Sequence, residues 1–432
     1  MEPESSTVRS NAPQPNLTER QRILQKADVV AGRFWRLWQD YHPDVYDEVR
    51  QDLTANQGVD RVKLKKESIE RLHSILLPLL ERQIIDISKL SDPVKLRREP
   101  DATFELMFNK QSELEPTLKQ IRSEYYVLYP NYTDSPPTHE NNDQYLEELK
   151  TFRSHGLYRP LVVDALCKAI AVLDLSFELL GKMGLRIEKH GIQPESKTEE
   201  IDATREELLK YTAATREGIK STLKWLKGSE FEIVQHDWPQ KIRDLDETLI
   251  TLWSLIHPTT NINEQNPINQ ADQTAQSNPL SEPVLQMAEL LIPIVKLARL
   301  FFNKFSSRLI TVQQLPLSIG MSSYSLDDFS ESAGQAGTSF QKLIELLRKV
   351  NHNEDGEEGV TSVQLTEIAR SLQVSFQSSL FDLLLYLVPR MPETGSFPSQ
   401  DYFNNWSVTW YNLLCLAIRN FEEATEVLPD VP

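Results

Sequence analysis

Apolar residues recur every three or four positions over several long stretches of the chain, which is the spacing of one face of an α-helix. In the first half, this pattern predicts helices over residues 16–41, 59–90, 101–128, 158–190, 198–226 and 238–256. In the second half, it predicts helices over residues 281–306, 327–350, 361–388 and 400–428. The sequence therefore predicts an all-α fold in which long antiparallel helices pack into two bundles.

The helix predicted over residues 158–190 has the most regular apolar pattern. One stripe, with alternating spacings of three and four, contains Val163, Leu166, Ile170, Leu173, Phe177 and Leu180, and Ile187 extends it. A second stripe beside it contains Val162, Ala165, Ala169, Val172, Leu179 and Met183. Two adjacent stripes make a wide apolar face, so we expect this helix at the centre of a bundle, ending at Gly191.

Prolines and polar tracts predict where the helices are interrupted. Pro78 should kink or split the helix over residues 59–90, because proline lacks a backbone donor and clashes with the preceding turn. Residues 1–15 are polar and are predicted to be disordered. Residues 258–280 are rich in Asn and Gln and poor in apolar residues. This segment is predicted to be a linker, or a long exposed loop within one domain.

The predicted domain organisation follows from these interruptions. An N-terminal helical bundle is expected over residues 16–257 and a C-terminal four-helix bundle over residues 281–432, joined by the Asn/Gln-rich segment. Only 14 of the 432 residues are glycine, whereas about 7% is usual. Folds with many tight turns need glycine at positive φ, so the low content favours helices joined by few loops.

The formal net charge of −17 excludes two classes of partner. Surfaces that bind nucleic acids or anionic membranes need an excess of Lys and Arg, and basic runs such as Lys63-Leu64-Lys65-Lys66 are short. We therefore expect no nucleic acid and no membrane among the partners. The sequence contains neither a signal peptide nor a transmembrane pattern, which predicts a soluble protein of the cytoplasm or the nucleus.

Cysteines and tryptophans are expected in the core. Cys167 and Cys415 lie in apolar helical patterns, where buried thiols are the usual finding. So few cysteines are typical of a reducing compartment. The tryptophans Trp35, Trp38, Trp406 and Trp410 are interpreted as core anchors rather than as a ligand cage. No small-molecule ligand is therefore evident.

Asp327-Asp328-Phe329-Ser330-Glu331 is similar to the acidic motif with which all-helical prenyl-diphosphate enzymes hold magnesium. Adjacent carboxylates on one helical turn can chelate a divalent cation beside a diphosphate. The second metal motif of those enzymes is not visible in the sequence. We therefore interpret Asp327 and Asp328 as the acidic start of a helix, where the helix dipole favours negative charge.

Two further constellations have the spacing of a metal site without its complete ligand set. Glu70 and His73 have the Glu-x-x-His spacing of di-iron bundles, but the sequence contains no second pair. Residues 353–361 resemble a calcium loop, but Glu358 replaces its central glycine and Gln364 its bidentate carboxylate. Glycine-rich phosphate loops and nucleophile motifs do not occur. The sequence thus assigns no catalytic, cofactor-binding or metal-binding residue and no cofactor.

Two stretches resemble known helical proteins. One is Leu249-Ile250-Thr251-Leu252-Trp253-Ser254-Leu255-Ile256-His257-Pro258, and the other is the apolar helix from Glu289 to Phe302. The arrangement is similar to uncharacterised fungal proteins of this length and, more distantly, to the cyclin-D-interacting helical proteins. The resemblance implies two helical bundles and a function in binding partner proteins. It implies no site residues.

These observations lead to two hypotheses of different classes. The first is a non-enzymatic, acidic, intracellular protein that acts through protein–protein interaction as a scaffold or regulator, with other proteins as its partners. The second is an all-helical, magnesium-dependent enzyme of the prenyl-diphosphate type that uses Asp327, Asp328 and Glu331. The first is preferred, because the sequence carries no other recognisable catalytic chemistry.

Overall fold

The computed structural model describes residues 17–42, 60–129, 143–188, 191–192, 194–257, 280–306, 316–352, 362–391 and 400–426. Within them, helices form nearly all of the regular structure, which confirms the all-α fold class. The first half contains α1 (Leu17–Tyr41), α2 (Asp60–Arg71), α3 (Leu77–Leu90), α4 (Pro93–Arg98), α5 (Pro100–Leu128), α6 (Thr151–Gly156), α7 (Cys167–Lys182) and α8 (Thr198–Lys227). The second half contains α9 (Glu230–Val234), α10 (Trp238–Ile256), α11 (Glu282–Phe305), α12 (Ser323–His352), α13 (Ser362–Asp382) and α14 (Gln400–Thr425).

The chain divides into two compact units. Unit 1 comprises Met1–Asp134 and Arg153–Lys227, and unit 2 comprises Ser135–Phe152 and Gly228–Pro432. The division lies at Lys227–Gly228 and therefore differs from the predicted boundary at residues 258–280. The tail predicted over residues 1–15 lies outside the described residues, and so does the linker predicted over residues 258–280 except for its last residue.

Trp238 explains why the division precedes α10. This residue begins α10, which packs against α11 and α12 of unit 2. Its ring is completely buried, with the ring centroids of Phe302 and Phe329 each 5.2 Å away. Burying a tryptophan among aromatic rings stabilises the contact well beyond its surface area alone. The helix therefore belongs to the core of unit 2, although a long polar segment follows it in the sequence.

α7 lies at the centre of unit 1, as its two apolar stripes predict. It packs against α1, α3 and α8. Leu166, Leu173 and Leu180 each expose at most 1% of their surface. α8 closely approaches the segment that precedes α7 in the chain. This approach depends on Gly218 of α8, because a Cβ atom there would overlap the backbone of Asp164.

α7 ends at Lys182, well before the predicted end near residue 190. The following turn contains Gly184 at φ 68°, a left-handed conformation that glycine adopts without strain. The chain then forms a short antiparallel ribbon of β1 (Ile187–Glu188) and β2 (Gly191–Ile192). Ile187 is therefore 44% exposed and does not extend the buried stripe. The prediction is wrong here because one apolar residue at helical spacing also fits a short strand.

Three π-helical segments of the described residues lie next to prolines. Leu72–Leu76 precedes Pro78, Tyr158–Leu166 contains Pro160, and Leu383–Leu387 precedes Pro389. A π turn shifts the hydrogen bonds to i→i+5, which accommodates the missing donor and the bulk of a proline ring. The interruption predicted at Pro78 is thus a π turn between α2 and α3.

The core of unit 2 is rich in aromatic rings. α11 contributes Phe301, whose ring centroid lies 4.8 Å from that of Trp410 in α14 and 5.5 Å from that of Phe376 in α13. Trp410 is 2% exposed, and its indole Nε1 donates a hydrogen bond to the carbonyl oxygen of Leu297 at 2.9 Å. These contacts fix α11, α13 and α14 together by ring geometry as well as by buried area.

Unit 2 also buries an ion pair, to which residues 143–152 contribute the lysine. Lys150 Nζ lies 2.8 Å from Glu230 Oε2, and both side chains are completely buried. Lys150 also donates to Ser318 Oγ at 3.0 Å, and the backbone N–H of Ile319 donates to Glu230 Oε2 at 2.9 Å. Burying a charge is costly unless it is paired and hydrogen-bonded. These contacts satisfy Glu230 Oε2, whereas Glu230 Oε1 has no hydrogen-bond partner among the described residues. The network holds the short segment before α6 in the core of unit 2.

One helix of the described residues, Ser362–Arg390, is long and apolar enough to cross a membrane by length and composition. It comprises α13 and the π and 3₁₀ segments after it. Its residues Leu365, Leu372 and Phe376 are buried in unit 2. It packs against α12 and α14 of the same unit.

Candidate interaction surface

The outer face of α1, in unit 1, combines exposed apolar residues with open cavities. The opposite face carries the predicted apolar stripe and is buried. On the outer face, Val29 is 53% exposed and Trp35 is 38% exposed. Gly32 lies between them, and a Cβ atom there would meet no atom within 4 Å. We call Val29, Gly32, Trp35 and the two cavities beside them the α1 surface.

The first cavity lies between α1 and α5 and has a volume of about 510 Å³. The rings of Phe104 and Phe108 line it, and Lys26 stands at its rim. Lys26 Nζ lies 2.6 Å from both Asp101 Oδ1 and Glu105 Oε1. Hydrogen bonds to Asp101 and then to Glu105 raise the pKa of Lys26. This side of the α1 surface is therefore an apolar depression whose lining includes two cations, Arg22 and Lys26, of which Lys26 is already paired.

The second cavity has a volume of about 470 Å³ and lies where α1 meets α7 and β1. The ring centroids of Trp35 and Phe177 are 5.5 Å apart, and the Arg186 guanidinium carbon lies 3.9 Å from the Phe177 centroid. The backbone N–H of Ile187 donates to Asp28 Oδ1 at 3.3 Å. The ribbon is thus attached to α1, and Ile187 forms one wall of an aromatic cavity.

Trp35 is held in place by a neighbouring ring. Trp35 stacks on Trp38, with ring centroids 4.9 Å apart and an angle of 18° between the rings. A ring held in this way loses little freedom when a partner covers it, which is why tryptophan is enriched at interaction hot spots. The walls of both cavities are mainly aromatic and aliphatic, with charged groups at the rims.

Sequence reasoning missed this surface because apolar residues occur in adjacent pairs along α1. In Val29-Val30 and in Phe34-Trp35, one member is exposed and the other is buried. Helical spacing places Val30 and Phe34 in the buried stripe, but it does not indicate whether another element covers Val29 and Trp35. Gly32, a glycine inside a helix of a glycine-poor chain, was the signal in the sequence that could have indicated an unusual outer face.

The tryptophans and cysteines predicted for the core do not all lie there. Trp410 is buried and is confirmed as a core anchor, whereas Trp35 is exposed on the α1 surface, which corrects its interpretation. The half-buried residues are Trp38, Trp406, Cys167 and Cys415. Full burial of the two thiols is therefore not observed.

The predicted acidic motif lies one turn further into its helix than expected. α12 begins at Ser323, so Asp327 and Asp328 occupy its second turn and are half-buried, and Glu331 is exposed. At the start of the helix, Asp143 Oδ1 accepts a hydrogen bond from the Ser323 backbone N–H at 2.8 Å. Asp143 is therefore the acidic group at this N-terminus, which corrects the interpretation of Asp327 and Asp328.

Asp328 instead lies near Asp382, at the end of α13. Burial and then the charge of Asp328 raise the pKa of Asp382 to about 6. Among the described residues, no group of three or more His, Cys, Asp or Glu side chains is arranged to hold a metal ion. The magnesium alternative is tested by none of these contacts and stays a prediction.

The Glu70 and His73 pair lies in the described residues of unit 1. Glu70 accepts a hydrogen bond from Lys227 Nζ at 2.7 Å, and this contact, before that from Ser74, lowers the pKa of Glu70. His73 is half-buried. The calcium-like loop over residues 353–361 lies outside the described residues.

Comparison with protein-family models gives two matches. Residues 65–227 match a domain of unknown function, DUF8723, and residues 229–423 match a second domain of unknown function, DUF8721. The chain is thus similar to two uncharacterised domain families, whose limits meet where unit 1 gives way to unit 2. Comparison with curated proteins and with solved structures gives no match.

Proposed function

We propose that this protein acts without catalysis, by binding another protein through the α1 surface. The observation that supports the proposal most directly is the combination of Trp35 and Val29 with a cavity on each side of α1. Single exposed apolar residues are normal and need no partner. An exposed aromatic ring beside apolar depressions is typical of binding hot spots.

The protein is a soluble scaffold or regulator of the cytoplasm or nucleus. Two cysteines present as thiols support a reducing compartment. The similarity of residues 249–258 and 289–302 to cyclin-D-interacting helical proteins, and to fungal proteins of the same length, supports a function in partner binding.

Exposed residues of unit 2 provide a matched control for a test of this proposal. Val374 on α13 is 64% exposed and Trp253 on α10 is 61% exposed. The variant Val29→Ser/Trp35→Ala removes the apolar part of the α1 surface, and Val374→Ser/Trp253→Ala removes the same side-chain types elsewhere. Both variants are made in the full chain and used as bait in extract of the native organism.

The protein that wild-type bait captures is then made recombinantly, and its Kd is measured by calorimetry. We expect Val29→Ser/Trp35→Ala to raise the Kd at least tenfold, or about 1.4 kcal/mol, as the loss of a hot-spot tryptophan does. The unit 2 variant should bind like the wild type. Equal capture and equal Kd for the two variants would show that the α1 surface is not the binding site.

A further inference from the structure

The outer face of α1 has the spacing of a helix–helix seam. Arg22, Gln25, Val29, Gly32 and Arg36 follow one another at alternating intervals of three and four, and all five are exposed. Residues at this spacing form one straight stripe along a helix. From residue 22 to residue 36 the stripe is about 21 Å long, at about 1.5 Å per residue. A partner helix of about four turns matches this length.

Among the described residues, nothing packs within 4 Å of where a Cβ atom at Gly32 would stand. In α8, Gly218 is required because a Cβ atom would overlap the backbone of Asp164, whereas a Cβ atom at Gly32 would stand in open space. A glycine inside a helix costs about 0.5–1 kcal/mol relative to alanine. The described part of the chain gives no packing reason for this cost. A second backbone that crosses α1 at Gly32 would supply one, since only glycine allows the closest approach of two helices.

The cavities lie where such a crossing needs them. If a small residue of the partner lies on Gly32, the larger residues before and after it point to either side of α1. On one side they meet the cavity lined by Phe108, and on the other the cavity lined by Phe177 and Ile187. Side chains that enter depressions of the facing helix are the knobs-into-holes arrangement of paired helices.

Charge determines the kind of helix that fits. The stripe ends in Arg22 and Arg36, which are exposed and have no ion pair within 4.0 Å among the described residues. Arg22 lies near Asp101, whose pKa is lowered by Lys26 and then by Arg22. Nearby, Lys26 and Arg33 are already paired with acids of α5. The chain as a whole carries a net charge of −17, so a basic stripe on it is unusual. A parallel pairing of two copies would set like charges together, which favours a different, acidic chain.

We propose that the α1 surface binds an acidic amphipathic helix that crosses α1 at Gly32 through a small residue. This inference rests on the proposed function and names the chemistry of its partner. The apolar face of the partner carries alanine, glycine or serine at the crossing, with larger apolar residues one turn away on each side. Its acidic residues pair with Arg22 and Arg36.

The probes are two fluorescent helical peptides of the same apolar sequence, with alanine at the crossing. One has a rim of glutamates and the other a rim of lysines. Their binding to the full chain is measured by anisotropy for wild type, for Gly32→Ala, for Arg22→Glu/Arg36→Glu, and for Gly337→Ala. Gly337 in α12 is the matched control, because a Cβ atom there also meets no atom within 4 Å.

We expect the glutamate peptide to bind wild type at least tenfold more tightly than the lysine peptide. Both glycine variants should melt at a slightly higher temperature, because alanine favours the helix. Only Gly32→Ala should weaken binding, by about tenfold, or 1.4 kcal/mol. Arg22→Glu/Arg36→Glu should reverse the preference between the peptides. A gain in stability with a loss of binding separates this result from misfolding.

Several outcomes overturn the inference. They are equal binding of both peptides, no binding at about 1 mM peptide, and equal effects of Gly32→Ala and Gly337→Ala. Binding to phosphatidylserine vesicles that Gly32→Ala removes would assign the surface to a membrane. A dimer seen in sedimentation that Gly32→Ala removes would assign it to a second copy. If Val29→Ser/Trp35→Ala still fails to bind the captured protein, the proposed function is kept and only the inference of an acidic helix is contradicted.

Discussion

Units 1 and 2 are both built from long helices, but they bury different chemistry. The centre of unit 1 is aliphatic, with Leu166, Leu173 and Leu180 of the α7 region buried, and its ion pairs among the described residues reach solvent, as that of Arg216 with Glu81 does. The centre of unit 2 contains stacked aromatic rings, and one ion pair in it is completely buried.

This difference shows two ways of stabilising a helical core. Aliphatic burial depends on area and volume and is not directional. The stability lost on truncating one side chain therefore grows with the cavity that the truncation leaves. A buried ion pair is directional and strongly coupled, because each partner left alone becomes an uncompensated charge. Unit 2 should therefore be sensitive to single polar substitutions at its centre, and unit 1 to truncations.

The largest effect is expected at Lys150. Lys150→Met leaves Glu230 buried without its cation, which should cost about 3–5 kcal/mol in the free energy of unfolding. Lys150→Met/Glu230→Gln should recover much of this loss, because glutamine removes the charge and still accepts from the Ile319 N–H. Urea titration, with hydrogen exchange to locate the loss in unit 2, measures both.

The control for Lys150 is Lys349→Met in the same unit. Lys349 pairs with Glu345 at 3.1 Å on the surface of α12, and both side chains are at least half exposed. Exposed pairs of this kind contribute about 0–1 kcal/mol. Similar costs for Lys150→Met and Lys349→Met would contradict the comparison between the units.

Truncation at the centre of unit 1 is expected to follow in size. Leu173 is completely buried in α7, and Leu173→Ala should cost about 2–5 kcal/mol because a cavity remains. Leu209 on α8 is 48% exposed and is the matched control, for which Leu209→Ala should cost well under 1 kcal/mol. Hydrogen exchange should place the loss in unit 1, and a cost below about 1 kcal/mol for Leu173→Ala would place α7 away from the centre.

The smallest effect concerns Asp382, the carboxyl in unit 2 whose pKa burial and the charge of Asp328 raise to about 6. The folded protein therefore holds this proton more tightly than the unfolded chain does, and stability falls as the pH rises from about 4 to about 6. Asp382→Asn removes this penalty. It should be more stable than the wild type at pH 7 by about 1 kcal/mol, discounted for partial exposure, and equal to it below about pH 4.

Melting temperatures of both proteins from pH 3.5 to pH 7.5 test this sign. Asp328→Asn removes the second cause of the shift and should weaken the pH dependence between pH 4 and pH 6 without abolishing it, because burial is the larger cause. A variant Asp382→Asn that is less stable than the wild type at pH 7 would reverse the sign and show that the carboxylate has a favourable partner.

Periodicity along the sequence determined the helices and the face that each turns to the core. α10 begins at Trp238 and ends at Ile256 as predicted, and α7 has the central position that its two apolar stripes indicate. These features are predictable because helical hydrogen bonds join residues four apart, and a wide apolar face has to be covered wherever the helix lies. The same spacing places Val30 in the buried stripe of α1, but it does not indicate whether another element covers Val29 on the outer face.

The tertiary structure alone decided which elements meet. Lys150 and Glu230 are 80 residues apart and pair only because residues 143–152 pack in unit 2. Ile187 lies beside Trp35 because α7 ends early and the ribbon bonds to Asp28. No local pattern records such contacts, since they result from many weak packing energies summed over complete helices. The α1 surface is a product of that sum, and only its glycine was visible in the sequence.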